Sequence, residues 1–484
     1  MNRVIFSVLF TACLLAGCAP GPDNNARLVP ITELVRGDAP GLIASGLYPN
    51  EVVTIHALRT ASFQTFEDGL RARQEVGLQA WAQFQANTDG EVHSLDAPLS
   101  GSWEGSDFNG LLWSGFPLGH PALSDITPAE SLGGAPQAPG ILRLVLERDD
   151  GQRRSRDITL LHYSDRIHFT SVGVHNAPED GVVGGISAVL AAPAGAANLP
   201  TVILLHGSEG ANPDASRRWA GRMAERGFAA LALHYVAYPW AGGIDGVEPT
   251  LMNIPIETLA RAHAFLKERP EADPGRIGVF GISKGAELAL VAASRYDWIK
   301  AVVACVPSDV VWSGFGRELE PGEGLSSWTW QGASLPAIPY DRYDDVFEGK
   351  ATATEVHRRS RALLDAEQIE ATRIPVEQID AEIMLISGGL DQTWPSLEMA
   401  DSIEASRRAA GLADKTTHLR FEGGSHGLCG DGTRPQRVDQ LAQQPSKSAE
   451  TATADGIANS TSFGAIVEFL QRILVSGNSN QHRR

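Results

Sequence analysis

A chain of 484 residues, 43% of them hydrophobic and 20% charged, is long enough for about two or three domains and apolar enough to bury their cores. Its 58 acidic against 40 basic side chains leave a formal charge of −18, and no basic cluster interrupts that excess, which excludes a nucleic-acid partner and adsorption to an anionic membrane. No Cys/His spacing has the form of a metal site and no glycine loop is of dinucleotide or P-loop type, so neither metal nor cofactor is expected.

In chain order, Asn2-Arg3 forms a short positive segment, and Val4 to Leu14 is an apolar run too short to span a bilayer. Leu15-Ala16-Gly17-Cys18 then has the form of a bacterial lipobox. Residues 1–17 are expected to be a signal peptide cleaved before Cys18, whose thiol would carry a lipid anchor. The alternative is an ordinary secretory signal in which Cys18 is incidental. Ala19, rather than aspartate, after the cysteine points to the periplasmic side of the outer membrane. Residues 18–45 are expected to be a tether. From 46 to 180, short β-like runs such as Val52-Val53-Thr54-Ile55 and Ile141–Leu146 alternate with Gly, Asp and Pro breaks, predicting a β-sandwich.

From 181 to 475 strands and helices alternate, the pattern of a mostly parallel, doubly wound sheet. Thr201–Leu205 predicts a strand, followed by the loop His206-Gly207-Ser208-Glu209-Gly210. Ile277–Phe280 predicts another, and Ala286–Ala293 a helix, with Gly281-Ile282-Ser283-Lys284-Gly285 between them. Strand, G-x-S-x-G, helix is the nucleophile-elbow pattern, in which a tight turn lifts a serine hydroxyl clear of the sheet. Glu382–Ser387 predicts a buried strand ending in Gly388-Gly389-Leu390-Asp391, and Thr417–Phe421 a shorter one ending in Gly423-Gly424-Ser425-His426. Active sites of open α/β sheets lie at the carboxyl ends of their strands, so the order Ser283, Asp391, His426 supplies a nucleophile, an orienting acid and a base at one edge. The Lys284 and Ser208 amides are the expected oxyanion donors. His206 precedes the nucleophile and is expected to be structural. Glu287 is expected to be a solvated or capping carboxylate.

Between the strand ending near Val306 and the one beginning at Glu382 lies an insert rich in Trp, Pro and Gly, expected to cap the active site. Its Trp312, Phe315, Trp328, Trp330 and Tyr340 either form an acyl pocket or pack as the core of the insert. Residues 429–460, poor in large apolar side chains, predict a mobile surface loop; Phe463–Val475 predicts a closing helix and 476–484 a disordered tail. An oxidising periplasm would allow Cys305 and Cys429 to pair, but cysteines at the ends of different strands need not lie close, and two separate thiols are expected.

Several of these segments carry a family resemblance. His206–Gly210, Gly281–Glu287, Ser326-Ser327-Trp328-Thr329 and Asp391–Ser396 resemble the C-terminal domain of the acyl-CoA thioester hydrolase / bile acid-CoA:amino acid N-acyltransferase family. Pro49–Thr54, Trp81–Ala86, Asp89–Val92, Pro98–Gly105 and Gly110–Ser114 resemble its N-terminal domain. The resemblance runs over about residues 45–475. It implies an immunoglobulin-like β-sandwich followed by an α/β-hydrolase domain, and serine-dependent acyl transfer from a thioester to water or an amine. Carried over residue by residue, the triad falls on Ser283, Asp391 and His426. Bile-acid-conjugating members use cysteine as nucleophile; a serine favours hydrolysis. Export sits uneasily with a cytosolic coenzyme A ester, which leaves two further readings: an exported carboxylic-ester hydrolase, and a tethered binding lipoprotein with an inactive hydrolase domain. A small acyl thioester or ester is the expected partner, and nothing in the sequence fixes the oligomeric state.

Overall fold

The computed structural model describes residues 25–67, 70–173, 185–317, 320–441 and 448–475. The expected signal peptide, the acylation site Cys18 and the tail 476–484 lie outside them.

The N-terminal half is a β-sandwich. A long hairpin, Val52–Glu67 paired with Leu70–Gln85, forms the middle of a seven-stranded sheet, and Ile141–Arg148 and Arg153–Leu161 extend it on one side. A three-stranded sheet of Arg27–Leu28, Leu42–Ser45 and Val92–His93 covers one face. Alternation places Val53, Ile55, Ala80, Ala82, Phe84, Leu142, Leu144 and Leu146 inward, where they meet Leu28, Ile43 and Val92. Residues 25–45 are therefore not a tether: Glu33–Val35 pairs in parallel with Thr159–Leu161, and Arg27–Leu28 with Ala44–Ser45.

The C-terminal half is built on eight strands: β1 (Ile167–Val172), β2 (Ser187–Pro193), β3 (Leu199–Leu205), β4 (Ala229–His234), β5 (Ala272–Ile282), β6 (Ile299–Cys305), β7 (Glu382–Gly388) and β8 (Thr416–Phe421). Their order is β1-β2-β4-β3-β5-β6-β7-β8; β2 runs antiparallel to both neighbours and the remaining pairs are parallel. The boundary expected at residue 180 moves accordingly, because β1 belongs to this sheet. A short β-like run reveals its conformation but not which sheet edge it will join.

Five helices cover the sheet: α1 (Pro213–Glu225), α2 (Glu257–Lys267), α3 (Lys284–Ala293), α4 (Ser396–Ala409) and α5 (Ala449–Leu474). The period-2 alternation of β3 divides them between the faces. Ile203 and Leu205 pack with α2, α3 and α4, while Val202 and Leu204 pack with α1 and α5. Residues 449–460, expected in a mobile loop, are the first turns of α5. Small and polar side chains there read as disorder, yet Ala452, Asp455, Ala458, Asn459 and Ser462 are buried, and Gly456 lies against the Trp113 ring of the sandwich. Close packing selects small residues, and the polar ones bond the neighbouring loop.

Candidate active site

The turn from β5 into α3 is tight enough to require both of its glycines. A Cβ on Gly281 would stand 2.1 Å from the Gly285 carbonyl oxygen, and one on Gly285 2.2 Å from that of Leu205. Between them Ser283 takes φ 56° and ψ −121°, a left-handed conformation rare for a residue with a side chain and characteristic of strained functional turns. Its N–H donates to the Cys305 carbonyl, 2.9 Å away, tying the turn to β6.

Three loops from the carboxyl ends of β5, β7 and β8 meet here. Ser283 Oγ donates to His426 Nε2 at 3.0 Å. His426 Nδ1 donates to Asp391 Oδ2 at 2.8 Å, since the carboxylate can only accept, and this fixes the tautomer that leaves Nε2 as acceptor. Asp391 Oδ1 accepts the N–H groups of Thr393 at 2.9 Å and Trp394 at 3.2 Å, so its own loop orients it. The Trp394 ring stands edge-on to His426, 5.9 Å between centroids.

The β3 loop completes the surroundings. His206 Nδ1 donates to the Gly207 carbonyl at 2.8 Å, the ring stacks flat on Tyr235 at 4.1 Å, and burial drives its pKa down to about 3, so it is a neutral structural ring. Glu209 folds back on this loop, its Oε1 accepting the Gly207 N–H at 3.1 Å. Lys284 is the first residue of α3, where main-chain N–H groups have no carbonyl one turn back to bond.

A cleft of about 590 Å³ opens beside His426. Its walls include Trp219, Ile282, Leu428 and Phe463, with Glu209 and the Arg222–Asp431 ion pair among its polar groups. None of the aromatic side chains of the 306–381 insert lines it. Phe347 is exposed, and the larger rings pack inward instead: Trp312 and Trp328 are buried, and Trp312 lies parallel to Tyr340 at 5.8 Å.

What the insert covers is a pair of charges that sequence reasoning missed. Lys284 and Glu287 are 2% and 0% exposed and lie 3.1 Å apart. Lys284 Nζ also donates to Ser327 Oγ at 2.8 Å and to the Trp312 carbonyl at 3.2 Å. Glu287 Oε1 accepts from Trp328 Nε1 at 2.7 Å and from the Trp312 N–H at 3.3 Å. Burial pushes the lysine pKa down and the glutamate pKa up, and each partner opposes the shift of the other. Glu287 is thus neither solvated nor a cap. The available signal was α3 itself: a helix apolar on every side is a buried helix, and its two charges must then be paired.

The segment expected to be mobile after His426 is held in several places. Cys305 and Cys429 form a disulfide, with Cα atoms 6.4 Å apart, contrary to the expectation of separate thiols. β7 separates β6 from β8 in the sheet, so it is the loop after β8, running back past β7 to the elbow, that brings Cys429 to the end of β6. Arg59 Nη1 donates to the Thr433 carbonyl at 3.0 Å, and Arg437 donates to that of Ser114, fastening the segment to the sandwich. Elsewhere Asp401, Glu404 and His418 approach one another, but Arg420 and Arg408 already pair with the two carboxylates.

The strand order, the single antiparallel β2 and a serine raised on a strand–turn–helix elbow define an α/β-hydrolase. Sequence profiles narrow the class. The profile described as BAAT / Acyl-CoA thioester hydrolase C terminal matches residues 254–475, and that of the Acyl-CoA thioester hydrolase/BAAT N-terminal region matches 40–120. The chain belongs to this family, and it is a hydrolase. It is 27% identical over 367 residues to the mitochondrial acyl-coenzyme A thioesterase 2 of Mus musculus, covering 74% of this chain and 72% of that one. Acyl-coenzyme A thioesterase 6 of Mus musculus is 30% identical over 278 residues, 55% of this chain and 57% of that one. The peroxisomal succinyl-coenzyme A thioesterase of the same organism is 25% identical over 391 residues, 79% and 80% of the two chains.

Proposed function

We propose that the protein is a serine-dependent acyl-thioester hydrolase with Ser283 as nucleophile, His426 as general base and Asp391 as the acid that orients it. The hydrogen-bonded chain from Ser283 Oγ through His426 to Asp391 carries this reading. His426 takes the serine proton as Oγ attacks the thioester carbonyl, and the Lys284 and Ser208 amides receive the oxyanion. Collapse of the tetrahedral intermediate breaks the C–S bond, and His426 returns the proton to the leaving thiol. Water, deprotonated by His426, then attacks the acyl-serine and releases the acid and the free hydroxyl. Asp391 stabilises the imidazolium formed in each half. The similarity to acyl-coenzyme A thioesterases supports a thioester; a serine ester intermediate, less open to amines than a thioester, supports water as the acceptor.

Export on a Cys18 lipid anchor is part of the same proposal, and the buried Cys305–Cys429 bridge supports an oxidising compartment. That compartment also favours a second reading, hydrolysis of an exogenous oxyester by the same triad. The purified protein and its Ser283→Ala variant separate the readings through kcat/KM on matched acyl-CoA thioesters and oxyesters of several chain lengths. Thioester preference supports the first and oxyester preference the second. Turnover retained by Ser283→Ala refutes both, and failure of the wild type to react with a fluorophosphonate leaves a tethered binding protein.

A further inference from the structure

We propose that the Cys305–Cys429 disulfide positions the catalytic base: it holds the His426 loop at hydrogen-bonding distance from Ser283, and full turnover requires the oxidised bridge. The inference rests on the triad reading above.

The end of β6 is where all three loops are tied. Ser283 N–H bonds the Cys305 carbonyl at 2.9 Å, which anchors the nucleophile. The next residue, Val306, donates its N–H to the Ile386 carbonyl at 2.7 Å and accepts Trp394 Nε1 at 3.0 Å. Trp394 in turn donates its own N–H to Asp391, which anchors the acid. The third loop reaches the same point through a covalent bond, from Cys429, three residues beyond His426. Val306 has φ 43°, a left-handed conformation that a β-branched residue adopts only where its surroundings impose it, and Cys429 has φ 68°.

The His426 loop has other supports, and their placement shows what the bridge adds. Upstream of the histidine, Asp455 of α5 accepts the Ser425 N–H at 2.7 Å, and Leu390 N–H donates to the Gly424 carbonyl at 2.9 Å. Downstream, Asn459 of α5 donates to the Gly427 carbonyl at 2.9 Å. These bonds refer the loop to α5 and to the acid loop. The bridge refers it to β6, the strand whose Cys305 carbonyl bonds the nucleophile turn, and so fixes the distance across which the serine proton moves. Such a distance is sensitive, since a displacement of about 1 Å costs on the order of 100-fold in rate. Both cysteines are buried, so reduction has to wait for local opening of the loop.

The test uses the whole protein and a water-soluble phosphine, which avoids the thiol exchange that a dithiol would cause with a thioester substrate. The phosphine and one water give the phosphine oxide and two cysteine thiols, a two-electron reduction confirmed by intact mass. The oxidised protein, the reduced protein and the double variant Cys305→Ala/Cys429→Ala are compared for kcat, KM, fluorophosphonate labelling rate and near-UV circular dichroism. The expected result is a fall of about 10- to 100-fold in kcat and in labelling rate for both bridge-free forms. KM should stay within about threefold, the dichroism should be unchanged, and reoxidation of the wild type should restore its rate. Three results overturn the proposal: kcat within twofold after complete reduction, full activity in purified protein whose mass shows free thiols, or loss of tertiary structure together with activity in both bridge-free forms, which assigns the bridge to the fold alone. If the oxidised protein itself shows no Ser283-dependent labelling, the triad reading has failed and this inference falls with it, an outcome distinct from the other three.

Discussion

Removing the negative charge of the buried pair beneath the elbow tests how far Lys284 depends on Glu287 as its counter-charge. In Glu287→Gln, Trp328 Nε1 and the Trp312 N–H keep an acceptor, but the Lys284 ammonium, 2% exposed, loses its counter-charge and keeps only neutral acceptors: the amide oxygen, Ser327 Oγ and main-chain carbonyls. An uncompensated buried charge costs about 3–5 kcal/mol. A domain of this size loses roughly 2–4 °C of Tm per kcal/mol, so the catalytic-domain transition should fall by roughly 6–20 °C. Replacing both charges, in Lys284→Met/Glu287→Gln, removes the penalty and leaves orphaned acceptors worth about 1–3 kcal/mol, so the double variant should be more stable than Glu287→Gln. Scanning calorimetry of wild type, both single variants and the double variant gives the coupling directly, and because the pair is buried the result should hardly change with salt. A Glu287→Gln transition within about 2 °C of wild type, or a double variant less stable than the single, would refute the argument. Turnover should fall with stability, since Lys284 is also the proposed oxyanion donor and the Trp312–Ser327 contacts hold it in place.

Other consequences are as direct. Burial holds His206 and His357 down to about pKa 3 and His234 to about 4, so the folded protein keeps them neutral while the unfolded chain protonates them near pH 6.5. The unfolded state then binds more protons, and stability is lost as pH falls below about 6.5, by about 1.4 kcal/mol per histidine at pH 5.5; an unchanged urea midpoint between pH 7.5 and 5.5 would contradict this. His234→Asn, which keeps a polar partner for Ser187 and Ser216, should reduce that proton uptake by about one. Gly456→Ala, in an exposed helix a gain of about 1 kcal/mol, should instead destabilise by about 1–3, because its Cβ would stand 2.2 Å from the Trp113 ring. A raised Tm for that variant would refute close packing of Gly456 against Trp113.

Whatever depends on a few adjacent residues was legible in the sequence. Gly281 and Gly285 flank Ser283 because the turn leaves no room for a Cβ, and that requirement is written in five letters between an apolar run and a helix-forming one. Strand and helix alternation likewise announced the doubly wound sheet, and the loops bearing Asp391 and His426 followed from where their strands end. What only the tertiary structure decided is which distant residues meet. Ile167–Val172 has the same local pattern in either sheet, and only the edge it joins assigns it to the catalytic half. Cys305 and Cys429 are 124 residues apart, one ending β6 and the other in the loop after β8, with β7 between those strands, and their pairing follows from the path of that loop, which no local pattern fixes. The small and polar residues of 449–460 resemble disorder until α5 is seen packed against Trp113 and bonded to the His426 loop. Lys284 and Glu287 look like surface charges one turn apart, because their cover, Trp312 to Trp328, arrives from an insert whose path no local pattern encodes. Backbone conformation is set by neighbours in sequence, whereas burial and pairing are set by neighbours in space, and the second exist only once the chain has folded.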